Sequence, residues 1–298
     1  MKKFLPHLIT RETILLFIIL AIGTFFRFNN SNKYFPFDVE QAEDLIVTRT
    51  VWENIKKGEI KRLPFRGQEA SIDPGRKIPK NDTSYYSYDI YHGAFYYYLL
   101  LLPGVISNFH PYGFVAFLIA LGVFSCYLGY KVGKEIWDGY TGLICAFLFA
   151  VLHPLVLYSR WIWTPSTLYF FSLLGLYSLI MISKGRERFW FLLAFSSGAI
   201  SQIHNAGYFF LVFVVFSLLI LKLRLPKNRT LKFVTIGTFG LFLAPTLIIE
   251  VLSKFFMTRQ IIARFIFQST AGTPSPDLFL KGVFSYFWNF VKATFNFG

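Results

Sequence analysis

The chain has 298 residues, of which 54% are hydrophobic and 15% are charged, whereas an ordinary soluble domain is about 25% charged. The uncharged runs at 141–159 and 205–221 suit lipid better than a core surrounded by water. The basic residues behind the net charge of +14 cluster in short loops between apolar runs, which argues against a nucleic-acid partner. Composition therefore indicates an all-α polytopic membrane protein.

The N-terminal segment combines a basic start with an apolar run, a pattern shared by signal peptides and first membrane spans. Arg27 and Asn29 follow that run where a small-residue cleavage site would stand, so we predict an uncleaved first span. Cys126 and Cys145 both lie in apolar runs. They predict no disulfide, redox pair or zinc site.

Hydropathy predicts eight membrane spans within a single transmembrane domain over 1–298. The approximate spans are 13–28, 112–130, 140–158, 165–182, 189–203, 205–222, 231–250 and 278–298. The positive-inside rule places the N-terminus and the short basic loops 131–135, 183–188 and 222–232 in the cytoplasm. Because the chain stops at Gly298 within an apolar run, we expect it to be incomplete at the C-terminus.

The apolar segment 93–107 decides this topology. All the basic loops lie on the cytoplasmic side only if this segment does not cross the membrane. It contains Pro103 and is shorter than the roughly twenty residues that a span needs. We therefore predict a re-entrant or interfacial helix at about 93–107, with its tyrosines in the headgroup layer. The first external loop then covers 29–111, which is long enough to be functional.

Within that loop we predict an amphipathic helix at about 38–57, lying on the outer membrane surface. Leu45, Trp52 and Ile55 recur at helical spacing and predict its apolar face. Prolines and glycines predict an irregular loop at 62–90.

Four carboxylates crowd the start of this surface helix: Asp38, Glu40, Glu43 and Asp44. Asp38 and Gln41 predict a capping box, and Glu40, Glu43 and Asp44 share one helical face by their spacing. Crowding raises the proton affinity of at least one carboxylate, which suits a general base near neutral pH. The catalytic candidates are Asp38, Glu40 and Asp44. Glu43 is a substrate-binding candidate.

The predicted topology places further polar residues at the external face. The substrate-binding candidates there are Tyr91, His92, Arg160, Trp161, His204, Asn205 and Glu250. Ionisable groups at the edge of hydrocarbon are costly unless they are paired or hydrated, so each marks a potential site.

Structural roles for the same residues stay open. Arg160 has the position of a residue that extends its charged end to the membrane surface from a helix end. His204 has the position of a hydrogen-bonded turn residue. Glu250 has Lys254 four residues on as a potential partner. Tyr91 fits an interfacial aromatic belt, together with Tyr85, Tyr86 and Tyr88.

A carboxylate that deprotonates a hydroxyl and an arginine that grips a phosphate suit transfer from a lipid phosphate carrier. The chain contains neither G-x-x-x-x-G-K nor a strand-associated G-x-G-x-x-G, so a soluble sugar nucleotide is a poor donor. No cofactor and no metal ligands are predicted, and a divalent metal ion stays open.

The order of several pieces resembles glycosyltransferase family 39, the dolichyl-phosphate-mannose-protein mannosyltransferase-like membrane enzymes. After the first span and the acidic helix start come "GAFYYYLL", a run from Gly129 to Leu179 that includes "YSRWIWTP", then "SQIHNAGYFF" and "APTLIIEVLSKF". The resemblance covers most of 13–265. It implies a C-type glycosyltransferase-like transmembrane helix bundle and a polyprenyl-phosphate-linked sugar donor.

In that family an acidic pair in the first external loop is associated with catalysis. Distance from the first span puts Asp38 in the catalytic place. The frame of the family's similar D-Q-A-R-D run instead puts Glu40 there and Asp44 in the second acidic position. Glu43 departs from the pattern, because the similar run is basic at that point. The matched pieces also imply site-facing positions for Arg160 and Trp161, and for His204 and Glu250.

The resulting hypothesis is an inverting glycosyl transfer at the outer face of the cytoplasmic membrane, to an unknown hydroxyl acceptor on a lipid, glycan or protein. The alternative is a non-catalytic carrier or flippase for a polyprenyl-linked lipid. A carrier is expected to place paired charges near the bilayer midplane, whereas the charges of this sequence stand at span ends.

Overall fold

The structure is a computed structural model that describes residues 10–29, 31, 37–70, 90–252 and 255. The predicted span 278–298, the first nine residues and Tyr85, Tyr86, Tyr88 and Lys254 lie outside the described residues. The described part is a bundle of ten α-helices with one short β-hairpin, and the predicted all-α membrane fold is confirmed.

The helices are α1 Arg11–Phe28, α2 Val39–Lys56, α3 Phe95–Ile106, α4 Pro111–Ile136, α5 Gly139–Val151, α6 His153–Tyr158, α7 Leu168–Ser183, α8 Phe189–Ile203, α9 Gly207–Ile220 and α10 Arg229–Leu252. Two 3₁₀ turns lie at Ile60–Arg62 and Thr164–Thr167. Strands β1 Arg66–Ala70 and β2 Ile90–Gly93 pair antiparallel. The predicted irregular loop at 62–90 is therefore wrong at β1, where pairing with β2 decides the conformation.

The predicted span 140–158 is divided between two helices. Leu152 separates α5 from α6 with an extended ψ of 118°, and Pro154 follows two residues later. Proline lacks a backbone N–H and disfavours helix at the residue before it, so a helix could not run evenly through this point.

Three of the described helices are long and apolar enough to cross a membrane: Pro111–Ile136, Thr164–Ser183 and Arg229–Leu252. Four shorter apolar helices accompany them, at Phe95–Ile106, Gly139–Val151, Phe189–Ile203 and Gly207–Ile220. The number of crossings, eight by hydropathy, stays a prediction.

The N-terminal helix and the three basic loops meet at one end of the bundle. Three contacts join them in sequence: Lys134 Nζ to Glu12 at 2.7 Å, Lys184 Nζ to Glu135 at 2.7 Å, and the Lys227 amide to Glu187 at 3.3 Å. The loops that the positive-inside rule places on one side of the membrane therefore also lie at one end of the bundle. The assignment of this end to the cytoplasm stays a prediction.

The opposite end carries the first loop, which packs on the bundle through α3. Tyr96 and Leu100 of α3 are fully buried in a core with Phe114 of α4 and Ile203 of α8, and Leu45 of α2 joins the same core. With twelve residues, α3 is about 18 Å long. Whether it re-enters without crossing stays a prediction.

The tyrosines of α3 contact the protein, and their expected place in a headgroup layer stays a prediction. Tyr96 and Tyr97 are buried against the protein, and the Tyr98 hydroxyl donates to the carbonyl oxygen of Pro64 at 2.9 Å. The prediction treated α3 as a helix surrounded by lipid, whereas α2, α4 and α8 pack around it.

Candidate functional site

The start of α2 is held by the predicted capping box. Asp38 accepts a hydrogen bond from the Glu40 amide at 3.0 Å, and Gln41 Oε1 accepts from the Asp38 amide at 2.9 Å. These bonds satisfy amides that have no partner within the helix. The exposed Asp38 carboxylate is therefore engaged in structure.

Asp44 has a different environment from the other carboxylates. Its side chain is 1% exposed, and within the described part of the chain neither carboxyl oxygen has a hydrogen-bond partner. Burial raises the pKa of Asp44 to about 8, and the charges of Glu43 and Glu40 add to the effect. Crowding was the predicted cause, but desolvation is the larger one because it penalises the charged form directly.

Glu40, Glu43 and Asp44 all lie in α2 at the predicted helical spacing, but packing gives them different environments. Glu40 and Glu43 are exposed, whereas Asp44 lies on the buried face. That face comprises Gln41, Asp44, Leu45, Thr48 and Val51. It replaces the predicted apolar stripe, whose Ile55 is exposed. The cause is tertiary, because α2 packs against α3. This contact decides which face of α2 is buried, and that face is not the most apolar one.

Several buried polar side-chain atoms of α2 and α3 have no hydrogen-bond partner among the described residues. Besides the Asp44 carboxyl, they include Gln41 Nε2 and the Tyr96 hydroxyl, and the charge of Asp44 acts on Tyr96 and Tyr97. A buried polar atom without a partner costs about 1–3 kcal/mol. Such atoms persist where function uses them, so this cluster is the first candidate for reactive chemistry.

A pair of histidines joins the hairpin to the end of α8. The rings of His92 and His204 stack with centroids 4.4 Å apart, and the Asn205 amide donates to His92 Nδ1 at 3.3 Å. Gly93 makes this approach feasible, since a Cβ there would lie 2.1 Å from Gln202 Oε1. The hairpin thereby fixes His92 beside the α8–α9 turn.

Burial favours the neutral form of both imidazoles. Burial lowers the pKa of His92 to about 4, with the charge of His204 adding to it, and burial also lowers the pKa of His204. His204 Nδ1 accepts a hydrogen bond from the Ala206 amide at 3.0 Å. The turn role that the sequence left open for His204 is therefore present in the structure.

Arg160 lies over the C-terminal end of α1. Its Nη2 donates to the carbonyl oxygen of Phe26, which fits either the snorkelling role or a ligand-binding one. Among the described residues it forms no ion pair, and its Nε has no partner. Beside it, the Trp161 ring stacks on Tyr158 and Trp163, with centroid distances of 6.1 and 4.6 Å.

No structural or functional role was predicted for Arg27, which was noted only because it stands where a signal-peptide cleavage site would need a small residue. It is fully buried and donates to the carbonyl oxygens of Gly23, Ala150 and Phe149 at 3.1, 3.1 and 2.8 Å. It thus caps the end of α5. The available signal was its charge at the edge of hydrocarbon.

The remaining candidates also lie at this end of the bundle. Glu250 is buried near the end of α10, whose Thr246 accepts a hydrogen bond from Gln202 of α8 at 2.7 Å. Tyr91 lies in the hairpin, where the Arg66 guanidinium carbon is 5.0 Å from its ring centroid. Within the described ranges, no group of three or more His, Cys, Asp or Glu residues is placed to hold a metal ion.

Most of the candidates fall into three groups at one end of the described bundle: the buried Asp44 on α2, the histidine pair, and Arg160 over α1. No protein-family model and no curated protein matches the chain.

A similar solved structure is that of the archaeal oligosaccharyltransferase AglB from Archaeoglobus fulgidus, in complex with an inhibitory peptide and a dolichol-phosphate. The TM-score is 0.51 at 17% identity, and the match covers 95% of this chain and 38% of that chain. This likeness shows the fold alone, a membrane helix bundle that is C-type glycosyltransferase-like. It spans less than half the length of that protein.

Proposed function

We propose that this protein is a membrane glycosyltransferase that moves a sugar from a polyprenyl-phosphate carrier to a hydroxyl acceptor. The observation that carries the proposal is the buried Asp44 carboxyl, held without a hydrogen-bond partner among the described residues, on a loop helix packed against the bundle. The fold and the dolichol-phosphate bound to the similar structure support the same chemistry. The sequence resemblance to family 39 supports a hexosyl donor.

Asp44 is the proposed general base. In its ionised form it accepts the proton of the acceptor hydroxyl while the hydroxyl oxygen bonds to the anomeric carbon of the sugar. The bond from that carbon to the phosphate oxygen breaks, and the lipid phosphate leaves with the electron pair. With the pKa raised to about 8, about a tenth of Asp44 is ionised at pH 7. A base of this strength lies near the optimum for working close to neutral pH.

The other carboxylates receive different roles. Asp38 caps α2, and Glu40 and Glu43 are exposed carboxylates that help to raise the pKa of Asp44. This places the base in the second acidic position of the family frame and not at Asp38 or Glu40.

Arg160 is the proposed phosphate contact. It forms no ion pair among the described residues, where its enclosed Nε also has no hydrogen-bond partner, and a guanidinium can bind phosphate through two parallel hydrogen bonds. The neutral imidazoles of His92 and His204 offer hydrogen bonds to sugar hydroxyls without adding charge.

The test uses the full-length protein in nanodiscs, supplied with a panel of radiolabelled polyprenyl-phosphate sugars and candidate acceptors. Asp44→Asn keeps the shape of the side chain but removes the base, so we expect turnover to fall by about 100-fold or more. Arg49→Gln is the matched control, since it changes an exposed charge on the same helix, and we expect it to retain most turnover.

Wild-type turnover in Asp44→Asn would contradict the assignment of the base. Lipid translocation across the bilayer without sugar transfer, measured with the same substrates, would favour the carrier instead.

A further inference from the structure

An apolar groove runs between α1 and α4. It has a volume of about 450 Å³, and its walls expose no polar atom. Leu20, Thr24 and Phe28 form the α1 wall, and Ala116, Ala120 and Val123 contribute to the α4 wall. The hydroxyl of Thr24 is already used, since it donates to the Leu20 carbonyl oxygen at 2.8 Å.

The groove has a defined direction in the bundle. Glu12 near the start of α1 pairs with Lys134 near the end of α4 at 2.7 Å, so the two helices are antiparallel. Phe28 and Ala116 therefore mark the end of the groove that faces the candidate site. From Leu20 to Phe28 the α1 wall extends for about 12 Å.

The shape of the groove comes from small side chains. Ala116 and Ala120 stand one helical turn apart and are both exposed, so they leave a shallow channel open along the side of the bundle. Phe124, which is 60% exposed, lines the groove farther from the site. The groove thus admits an apolar chain laterally from the membrane.

A cation stands at the site end of the same helix. Arg160 donates to the carbonyl oxygen of Phe26 in the last turn of α1, two residues before the groove residue Phe28. Arg160 forms no ion pair among the described residues, and its enclosed Nε has no hydrogen-bond partner there. The charge and the apolar walls together complement an amphiphile with an anionic head and an apolar tail.

We propose that the α1–α4 groove binds the head-proximal isoprene units of a polyprenyl phosphate, with the phosphate at Arg160. This inference rests on the proposed function, which supplies the class of lipid. It adds the location of the prenyl chain and makes α1 and α4 determinants of carrier binding. An ordinary phospholipid in the groove is the competing outcome of the test.

The test measures binding of geranylgeranyl phosphate, geranylgeraniol and inorganic phosphate to the full chain in detergent, with native mass spectrometry as the readout. Ala120→Phe fills the groove from an exposed position, and Ala116→Phe repeats the test one turn away. Ala21→Phe is the matched control, because Ala21 is exposed on α1 but does not line the groove.

We expect Ala120→Phe and Ala116→Phe to weaken geranylgeranyl phosphate binding at least about 10-fold, the usual effect of losing about 1.4 kcal/mol, while Ala21→Phe binds as the wild type does. We expect Arg160→Gln to weaken binding of the phosphate but not of the alcohol. If inorganic phosphate bound with the same affinity as geranylgeranyl phosphate, the ligand would be free phosphate and the proposal would be overturned.

Unchanged binding in both groove variants would also overturn it, as would full competition by phosphatidylglycerol at equal concentration. The proposed function fails separately. If prenyl phosphate binding follows the expected pattern but no sugar is transferred, the groove stands and the transferase does not. If sugar is transferred and the groove variants bind normally, only the groove is wrong.

Discussion

Asp44 shows how one residue can couple stability to pH. Its pKa rises from 3.8 to about 8 on folding, so between these values the folded protein binds more protons than the unfolded chain. The free energy of unfolding therefore falls as pH rises through this window, and the stabilising contribution is complete only below about pH 4.

We expect Asp44→Asn to flatten this part of the stability profile, by an amount on the order of a few kcal/mol between pH 4 and 8. The measurement is urea or thermal unfolding of wild type and variant in the same detergent across that range. Arg49→Gln, which changes an exposed residue of the same helix, should keep the slope. Equal slopes for wild type and Asp44→Asn would show that Asp44 is ionised in the folded protein.

Asp38 separates the capping role from the chemical one. Asn is itself a good N-cap, whereas Ala removes the cap at a cost of about 1 kcal/mol. We expect Asp38→Ala to lower stability and Asp38→Asn to preserve it, with turnover near wild type in both. If Asp38→Asn lost turnover at unchanged stability, the base would have to be moved to Asp38.

At the scale of elements, Arg27 satisfies the carbonyl oxygens left unpaired at the break between α5 and α6. Its guanidinium supplies hydrogens to the carbonyl oxygens of Phe149 and Ala150, which no intrahelical amide can reach at this helix end. Arg27→Met keeps an apolar stem of similar length but leaves these carbonyl oxygens buried and unpaired.

We expect Arg27→Met to destabilise the protein by about 2–4 kcal/mol, since two buried acceptors lose their donor. Thermal unfolding in detergent measures the effect. Arg186→Met is the control, because Arg186 is exposed at the other end of the bundle. A melting temperature for Arg27→Met equal to that of the control would mean that water or lipid satisfies the α5 carbonyls.

For the whole molecule, the two ends of the bundle should face opposite sides of the membrane. The turn at Arg186 belongs to the end that carries the basic loops, and the turn at Asn108 belongs to the end that carries the candidate site. In a background without Cys126 and Cys145, we expect Asn108→Cys to react with an impermeant thiol reagent from outside and Arg186→Cys to react only after permeabilisation. Reaction of both from the same side would contradict the topology.

Much of the element pattern follows from the sequence alone. Apolar runs set the membrane helices, the charge of the loops predicts which ends meet, and the Asp38–Gln41 pair predicts the start of α2. These signals are local, since hydropathy and capping depend on residues within one or two turns. Local reasoning also named Asp44, Arg160 and His204 as candidates.

Only the tertiary structure decided how those candidates differ. Packing of α2 on α3 buries Asp44 and leaves Glu40 and Glu43 exposed. Pairing of β1 with β2 brings His92 to His204 across more than a hundred residues of sequence. Desolvation and contact between distant segments set the pKa of a carboxyl and the depth of a groove. Neither quantity exists in a single helix taken alone, because each depends on what the rest of the chain places against it.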